Sequence, residues 1–275
     1  MSKLIKSSFY KLLKDATFRI TLIIGAALAV FMCLIYFGID IINGEGSLDF
    51  VGSMCNGYSF YTSSLSPTQN FGLTVPINLI VFTIGEFNCG TIRNKIIAGN
   101  KKSSIYFSLF ITGAIFTISL MAIYFGLSVG LSTLIGGFEG MRELQDIDRA
   151  MLYQYPLMAL CTYIFIVSLA VLVSTSIRNI GGAMPIVIIT IMFLYFVSFI
   201  PSLIGNLGGN EGLKNALIVE QWLNPMHGFG SNGLAGLLPS KMDKSQFISS
   251  LITLLYWSVI LTGLGMFVFE RKDVK

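Results

Sequence analysis

The side chains best placed to do chemistry lie in one stretch, residues 86–102. It reads Glu-Phe-Asn-Cys-Gly-Thr-Ile-Arg-Asn-Lys-Ile-Ile-Ala-Gly-Asn-Lys-Lys and lies between two long apolar segments. The stretch is basic, contains two glycines and is too polar to lie in lipid. A carboxylate followed by several cations can form charge-assisted hydrogen bonds within the protein or with the acids and phosphates of a partner. We therefore expect a short, structured link that a soluble partner can bind.

No pattern for catalysis or metal binding accompanies this link. The chain has no P-loop sequence and no H-E-x-x-H sequence, and His227 is its single histidine. The cysteines form no C-x-x-C pair, so neither a zinc site nor a disulfide framework is indicated. They are Cys33, Cys55, Cys89 and Cys161. We expect this chain to have no catalytic residue, no metal and no cofactor of its own.

The composition is that of an integral membrane protein. Of the 275 residues, 54% are hydrophobic and only 12% are charged, and the mean hydropathy is +0.76. Soluble domains carry about 25% charged residues, and a membrane span needs about 20 apolar residues. We predict an all-α fold with one transmembrane domain over residues 1–275. Its six spans are expected at 20–40, 71–88, 105–127, 152–175, 183–205 and 247–269.

The basic residues orient the predicted spans. Six spans place both termini on one face, and most of the 18 Lys and Arg residues lie on that face. By the positive-inside rule, both termini and the link at 86–104 are predicted to be cytoplasmic in a multi-pass protein of the plasma membrane. The net charge of +4 follows from this topology, and we expect no nucleic-acid partner. The basic residues of this face are Lys3, Lys6, Lys11, Lys14, Arg19, Arg93, Lys95, Lys101, Lys102, Arg178, Arg271, Lys272 and Lys275.

Residues 1–18 are predicted to form a basic amphipathic helix in the cytoplasmic interface. Apolar residues recur at helical spacing on one face, with basic and hydroxyl residues opposite. The helix could anchor the topology or position the first span beside a partner. The two faces are Ile5, Phe9, Leu12, Leu13 and Ala16 against Lys3, Ser7, Lys11 and Lys14.

The outer face is predicted to carry three connections of different kinds. Residues 41–70 read as a polar loop, and 139–149 as a short acidic link. The segment 206–246 is too short and too polar for a further span. We expect it to form two short helices, at 213–223 and 229–238, that pack over the outer mouth. On the other face, Gly181-Gly182 suit a tight turn between the fourth and fifth spans.

Glu86 is the one acidic residue well inside a predicted span, about one turn from its end. The carboxylate could simply reach the interface or favour a nearby helix N-terminus. Alternatively, it could make a polar contact that organises the link. Carriers driven by protons or sodium usually display ionisable groups deep in the bundle. Their absence here predicts that energy comes from outside the chain.

The link resembles that of ABC-2-type permeases, the membrane subunits of type V ABC exporters. The shared pattern is an acidic residue, Gly-Thr, a basic residue, then glycine and further bases. Asn224-Pro225 and the tail that begins Phe269-Glu-Arg-Lys-Asp are also similar to that family. The resemblance implies that 86–104 is the cytoplasmic coupling region. Its site residues are then Glu86, Gly90, Thr91, Ile92, Arg93, Asn94, Lys95, Ile96, Gly99, Lys101 and Lys102.

The resemblance also implies partners. These are a dimer of cytoplasmic ATPase subunits, which carry ATP and Mg, and a second permease, either a copy or a paralogue. In that arrangement Ile92, Ile96 and Ile97 would be apolar contacts. The link's bases would pair with acids on the ATPase or with membrane lipid, although topology alone could also account for them.

The cargo implied by the resemblance is an amphipathic peptide or lipid-like molecule. The chain is similar to the group of exporters that confer lantibiotic immunity and bacitracin resistance. Two other classes of function stay open, an autonomous channel or carrier and a membrane assembly subunit without transport. The sequence names no substrate-binding residue.

Overall fold

The computed structural model describes residues 2–43, 56–65, 74–138, 146–205, 222–226 and 244–272, and all regular structure in these ranges is helical. The prediction of an all-α fold is confirmed for this part of the chain. The helices are α1 Ser2–Lys14, α2 Ala16–Asn43, α3 Gly57–Leu65, α4 Thr74–Asn88, α5 Thr91–Ile97, α6 Lys102–Gly136, α7 Asp146–Ile177, α8 Ile180–Gly205 and α9 Lys244–Arg271.

Five of these helices are long and apolar enough to cross a membrane, namely α2, α6, α7, α8 and α9. Such a set defines a multi-pass membrane protein. Helices α4 and α5 pass the same test only as a pair, bent by 55° at the break between them. With 15 residues, α4 alone is shorter than the roughly 20 residues that a span needs.

Helix α7 is the centre of the bundle. In an apolar stretch of 18 residues within this helix, 78% is buried, the largest share among the long helices described. The helix contacts α3, α4, α6, α8 and α9. Polar side chains link it and its neighbours at a few points. Thr262 Oγ1 donates to Ser168 Oγ at 3.3 Å between α9 and α7, and Thr21 Oγ1 donates to Asn78 Oδ1 at 2.8 Å between α2 and α4. Such uncharged contacts are typical of helix packing in lipid.

The two ends of the bundle differ. Helices α1 and α5, the start of α6 and the last residues of α7 and α9 lie together at one end, which we call the basic end. Helix α1 stops at Lys14, short of the predicted 1–18, because Asp15 starts a new helix. The Asp15 carboxylate accepts from the backbone N–H of Thr17 at 2.9 Å, which caps α2. The opposite end is called the distal end.

At the distal end, the prediction of a polar loop over 41–70 was wrong for residues 57–65. These form α3, which packs on α6 and α7. The side chain of Asn56 accepts from the N–H of Ser59 at 2.8 Å and caps the helix. The Gly57 N–H donates to the Gly137 carbonyl at 2.9 Å. Tertiary contacts stabilise a helix whose composition is polar.

The long helices extend beyond their predicted spans, and α6 and α7 do so by the most residues. Helix α6 has 35 residues and continues to Gly136, past the predicted end at 127. The Gly-rich sequence there stays helical despite the low helix propensity of glycine, and a Cβ at Gly126 or Gly130 would meet nothing within 4 Å. Helix α7 begins at Asp146, so part of the predicted link 139–149 is helical.

The turn between α7 and α8 is made by Arg178 and Asn179. Arg178 has φ 54°, and the Asn179 side chain accepts from the Gly181 N–H at 3.0 Å as the cap of α8. Gly181 and Gly182 therefore lie in the first turn of α8, and the prediction that they form the turn was wrong.

The predicted short helices at 213–223 and 229–238 lie outside the described residues, apart from 222 and 223. The described piece, 222–226, contacts two long helices. The Asn224 side-chain amide donates to the Leu194 carbonyl of α8 at 2.9 Å. Trp257 of α9 donates to the Leu223 carbonyl at 2.8 Å. Residues 222–224 thus join α8 and α9 near the middle of both helices.

Gly265 of α9 packs closely against Tyr106 of α6, and we predict a large effect of adding one methyl group there. A Cβ at Gly265 would overlap with the hydroxyl oxygen and the adjacent ring carbons of Tyr106. A Cβ at Gly263 would meet nothing within 4 Å. We expect Gly265→Ala to destabilise the protein by about 1–3 kcal/mol through overpacking. Thermal unfolding in detergent measures the change.

Gly263→Ala is the matched control in the same helix, and we expect its midpoint to stay or rise, because alanine favours helix. A second variant, Gly265→Ala with Tyr106→Leu, should recover stability. Equal midpoints for the two single variants would contradict the packing.

Candidate functional site

The candidate site is built around the buried carboxylate of Glu86, one turn before the end of α4. Glu86 is 1% exposed. Its Oε1 lies 2.5 Å from Lys11 Nζ of α1, and its Oε2 lies 3.0 Å from Lys95 Nζ of α5. One carboxylate therefore joins three helices through two ion pairs.

Hydroxyl groups extend these ion pairs into a network. Lys95 Nζ also donates to Ser8 Oγ at 3.0 Å, and Ser8 and Ser108 share a hydrogen bond of 3.1 Å. Lys11 Nζ donates to Thr91 Oγ1 at 2.9 Å. We call these residues the Glu86 network, and they link α1, α4, α5 and α6. Its members are Ser8, Lys11, Glu86, Thr91, Lys95 and Ser108.

The two lysines that pair with Glu86 are buried to different extents. The Lys95 side chain is 9% exposed and that of Lys11 is 38% exposed, while that of Glu86 has no exposed surface. A buried charge costs several kcal/mol unless it is paired. Glu86 balances the more buried cation, and the second cation keeps part of its surface in contact with solvent.

Two glycines set the ends of α5. Gly90 has φ 67° and Gly99 has φ 82°, both in the left-handed region that favours glycine. The Asn94 N–H donates to the Gly90 carbonyl at 3.0 Å, and the Gly99 N–H donates to the Ile96 carbonyl at 2.9 Å. The first glycine permits the sharp bend after α4, and the second lets the chain leave α5 toward α6.

The residues of α5 divide between two faces. Ile92 and Lys95 are buried, and Ile96 is partly buried against the core. These residues bind α5 to the bundle.

The other face of α5 is open. Arg93 and Asn94 are exposed, and Ile97 is 73% exposed. Lys101 follows in an exposed position. We call Arg93, Asn94, Ile97 and Lys101 the docking face.

Lys102 has a structural role at the start of α6. Its Nζ donates to the carbonyls of Glu270 at 3.0 Å and Lys272 at 2.8 Å, at the end of α9. Lys272 in turn donates to the Ser176 carbonyl at the end of α7. Burial and the neighbouring Arg178 guanidinium both lower the pKa of Lys272. Cations at carbonyl ends of helices are favourable, so these two lysines join α6, α7 and α9.

Lys102, Lys272 and Arg178 form a second cluster of cations at the basic end, and Phe87 connects this cluster to the Glu86 network. The Arg178 guanidinium lies 4.9 Å from the centre of the Phe87 ring, and Phe269 packs edge-on to that ring at 6.0 Å. Because Phe87 follows Glu86 directly, the end of α4 contacts both clusters. Adjacent side chains therefore form a continuous set of contacts from α5 to α7 and α9.

The sequence analysis missed three members of the site. It placed Lys11 opposite the apolar face of α1, but the structure turns Lys11 inward beside Leu4, Ser8 and Leu12. Those positions follow the pattern i, i+4, i+7 and i+8, a helical stripe that could have shown a partly polar contact face. Ser108, in an apolar span, carried no signal of its own.

No protein-family model and no curated protein matches this chain. In the described residues, no three His, Cys, Asp or Glu side chains come together in a way that could hold a metal ion. What the site can do follows from its geometry. It holds a short exposed helix rigidly against the end of a bundle.

Removing the buried carboxylate should destabilise the basic end strongly. Glu86→Gln keeps the shape but leaves two cations without a counter-charge, which costs about 3–5 kcal/mol for a buried pair. Thermal unfolding in detergent should show this loss. Arg93→Gln is the control, since exposed substitutions stay within about 0.5 kcal/mol.

Glu86→Gln combined with Lys95→Met should recover part of the loss, since the most buried cation is removed as well. A single Glu86→Gln variant as stable as Arg93→Gln would show that the ion pairs do not form.

The backbone at Gly99 predicts a graded series of substitutions. A Cβ there meets nothing within 4 Å, so the cost is conformational alone. We expect Gly99→Ala to cost about 1 kcal/mol, Gly99→Asn less, and the β-branched Gly99→Val more. Thermal unfolding ranks the three, and equal midpoints would exclude the left-handed conformation.

Proposed function

We propose that this chain is the membrane subunit of an ATP-driven ABC exporter of the ABC-2 type, and that α5 is its coupling helix. The observation that carries the proposal is the two-sided character of α5. Its inner face is ion-paired to Glu86, and its outer face presents Arg93, Asn94 and Ile97. In this proposal the basic end is cytoplasmic, where an ATPase dimer binds.

The geometry of α5 suits the transmission of force. A coupling element must move as one body with the bundle, since interfaces switch between discrete arrangements and do not deform continuously. The Glu86 network joins α5 to α1, α4 and α6. A push on the docking face is then a push on three other helices.

The proposal includes a six-span topology. In the proposal, α4 with α5 is the second span and its cytoplasmic end, which adds to the five long helices. The basic residues cluster at the end that carries α1 and α5, as the positive-inside rule requires of a cytoplasmic face. The protein then lies in the plasma membrane.

The distribution of ionisable residues favours energy supplied by a partner. No Asp, Glu, Lys, Arg or His occurs in residues 103–136, 150–177 or 179–205 of the sequence. Coupling to protons or sodium usually needs such groups in the bundle. ATP and Mg would bind to the ATPase subunits, and this chain would carry no catalytic residue.

The proposed cargo is an amphipathic peptide or a lipid-like molecule. The polar groups inside the bundle are mainly hydroxyls that donate to the carbonyl one turn earlier, as Thr112 does to Ser108 and Thr175 does to Val171. An interior without charge suits a cargo with apolar surface. Export of antimicrobial peptides fits this character, with a second permease, identical or related, completing the pathway.

The test is affinity purification from native membranes in mild detergent, followed by mass spectrometry of the proteins that co-purify. We expect a stoichiometric P-loop ATPase, and a different permease beside it if the assembly is a heterodimer. Absence of an ATPase, also after cross-linking, would contradict the proposal and favour a channel or an assembly subunit.

The docking face gives this purification a matched pair of variants. Arg93→Glu should reduce the recovered ATPase at least about tenfold, because reversing a charge at an interface costs more than about 1.4 kcal/mol. Lys6→Glu reverses an equally exposed charge on α1 and should leave recovery unchanged. Equal recovery with both variants would place the ATPase elsewhere.

A further inference from the structure

Within the described residues, α6 and α7 reach further toward the distal end than α4 does. Gly113 of α6 marks a common level, because a Cβ there would lie 3.1 Å from Leu79 of α4 and 3.2 Å from Val167 of α7. From this level α4 continues only to Thr74, about 8 Å at 1.5 Å per residue, whereas α6 continues to Gly136, about 35 Å.

Helix α3 lies beside this distal half. The Tyr61 ring packs edge-on to Phe125 of α6 at 5.1 Å, and the Tyr61 hydroxyl donates to the Leu152 carbonyl of α7 at 2.5 Å. Its first residue is bonded to Gly137. Helix α3 therefore fills the distal space between α6 and α7, beyond the start of α4.

Among the described residues, three buried polar atoms on α3, α7 and α9 have no hydrogen-bond partner. They are Ser64 Oγ of α3, Gln154 Oε1 of α7 and Ser250 Oγ of α9. Each residue is at most 4% exposed. An unpaired buried polar group costs about 1–3 kcal/mol, so three such groups in one region need an explanation.

Neighbouring contacts place the three residues at one level. Ser64 lies one turn after Tyr61, which binds Leu152, and Gln154 is two residues beyond Leu152. Tyr153 packs edge-on to Phe247 of α9 at 6.4 Å, and Ser250 follows Phe247 by one turn. The unpaired groups thus belong to α7 and to two helices, α3 and α9, that each pack against it in the distal half.

We propose that the distal half opens to water between α3, α7 and α9, and that Ser64, Gln154 and Ser250 then line a hydrated exit route. Helix α3 acts as its plug. In the open state, water and the uncharged amide groups of a peptide cargo would satisfy the three atoms. Apolar residues would serve a permanently closed core better, since they cost nothing to bury. The identity of the cargo rests on the proposed function, but the hydration of the route does not.

Cysteine labelling tests the route. In a chain whose four native cysteines are replaced, Ser64→Cys, Gln154→Cys and Ser250→Cys are introduced one at a time. The purified protein in lipid nanodiscs is treated with a water-soluble maleimide. The matched controls are Leu65→Cys, Met158→Cys and Leu254→Cys, which lie within one turn of the test positions and are equally buried.

We expect the test positions to react at least about tenfold faster than their controls, because labelling follows the population of the water-open state. Equal rates would overturn the proposal. The serine variants are nearly isosteric, so a failure of Gln154→Cys to fold would leave two decisive positions.

The result of the labelling experiment can be distinguished from the result of the test for a bound ATPase. Labelling needs no ATPase, so fast labelling in a chain that binds no ATPase would support a hydrated route in a channel. Slow labelling in a chain that does bind an ATPase would leave the exporter in place and remove the route.

Discussion

The burial of one carboxylate at the basic end is the constraint on which the rest of this structure depends. Glu86 has no exposed side-chain surface, so it must be paired, and its two partners come from helices that precede and follow α4 in the chain. Lys11 requires α1 to fold back against the bundle, and Lys95 requires α5 to turn its second half inward. If α1 or α5 moved away from the bundle, the ion pair of the other helix would become exposed or a buried charge would lose its partner.

The glycines at 90 and 99 follow from the same constraint. Lys95 lies nine residues after Glu86, and a continuous helix would carry it about 13 Å further along the axis. The 55° bend at Gly90 brings the ammonium group back to the carboxylate. Gly99 then reverses the chain so that α6 can begin at Lys102. The docking face is what remains outside once the inner contacts are made.

Much of this fold could be predicted from hydropathy alone. Five of the six predicted spans correspond to the long helices, because a run of about 20 apolar residues has few other solutions. Helix α3 could not be predicted, since its hydroxyl-rich sequence has no apolar period and its stability comes from contacts with α6 and α7. The importance of Glu86 was visible as a carboxylate in an apolar span. Its partner Lys11 was not, because a lysine on an amphipathic helix is usually a solvated one.

The ends of α1 and α6 also show why a basic face is not uniform. Lys11 and Lys95 neutralise a buried acid, and Lys102 donates to backbone carbonyls at the end of α9. These cations are occupied within the protein, so they cannot also bind an anionic partner or lipid headgroup without breaking internal contacts. Arg93 and Lys101 are exposed and carry no such cost. Topology requires positive charge on this face, but it does not require Ile97 to be exposed among those charges. Ile97 lies between these two exposed cations in the chain, and this combination is what the proposed coupling contact would use.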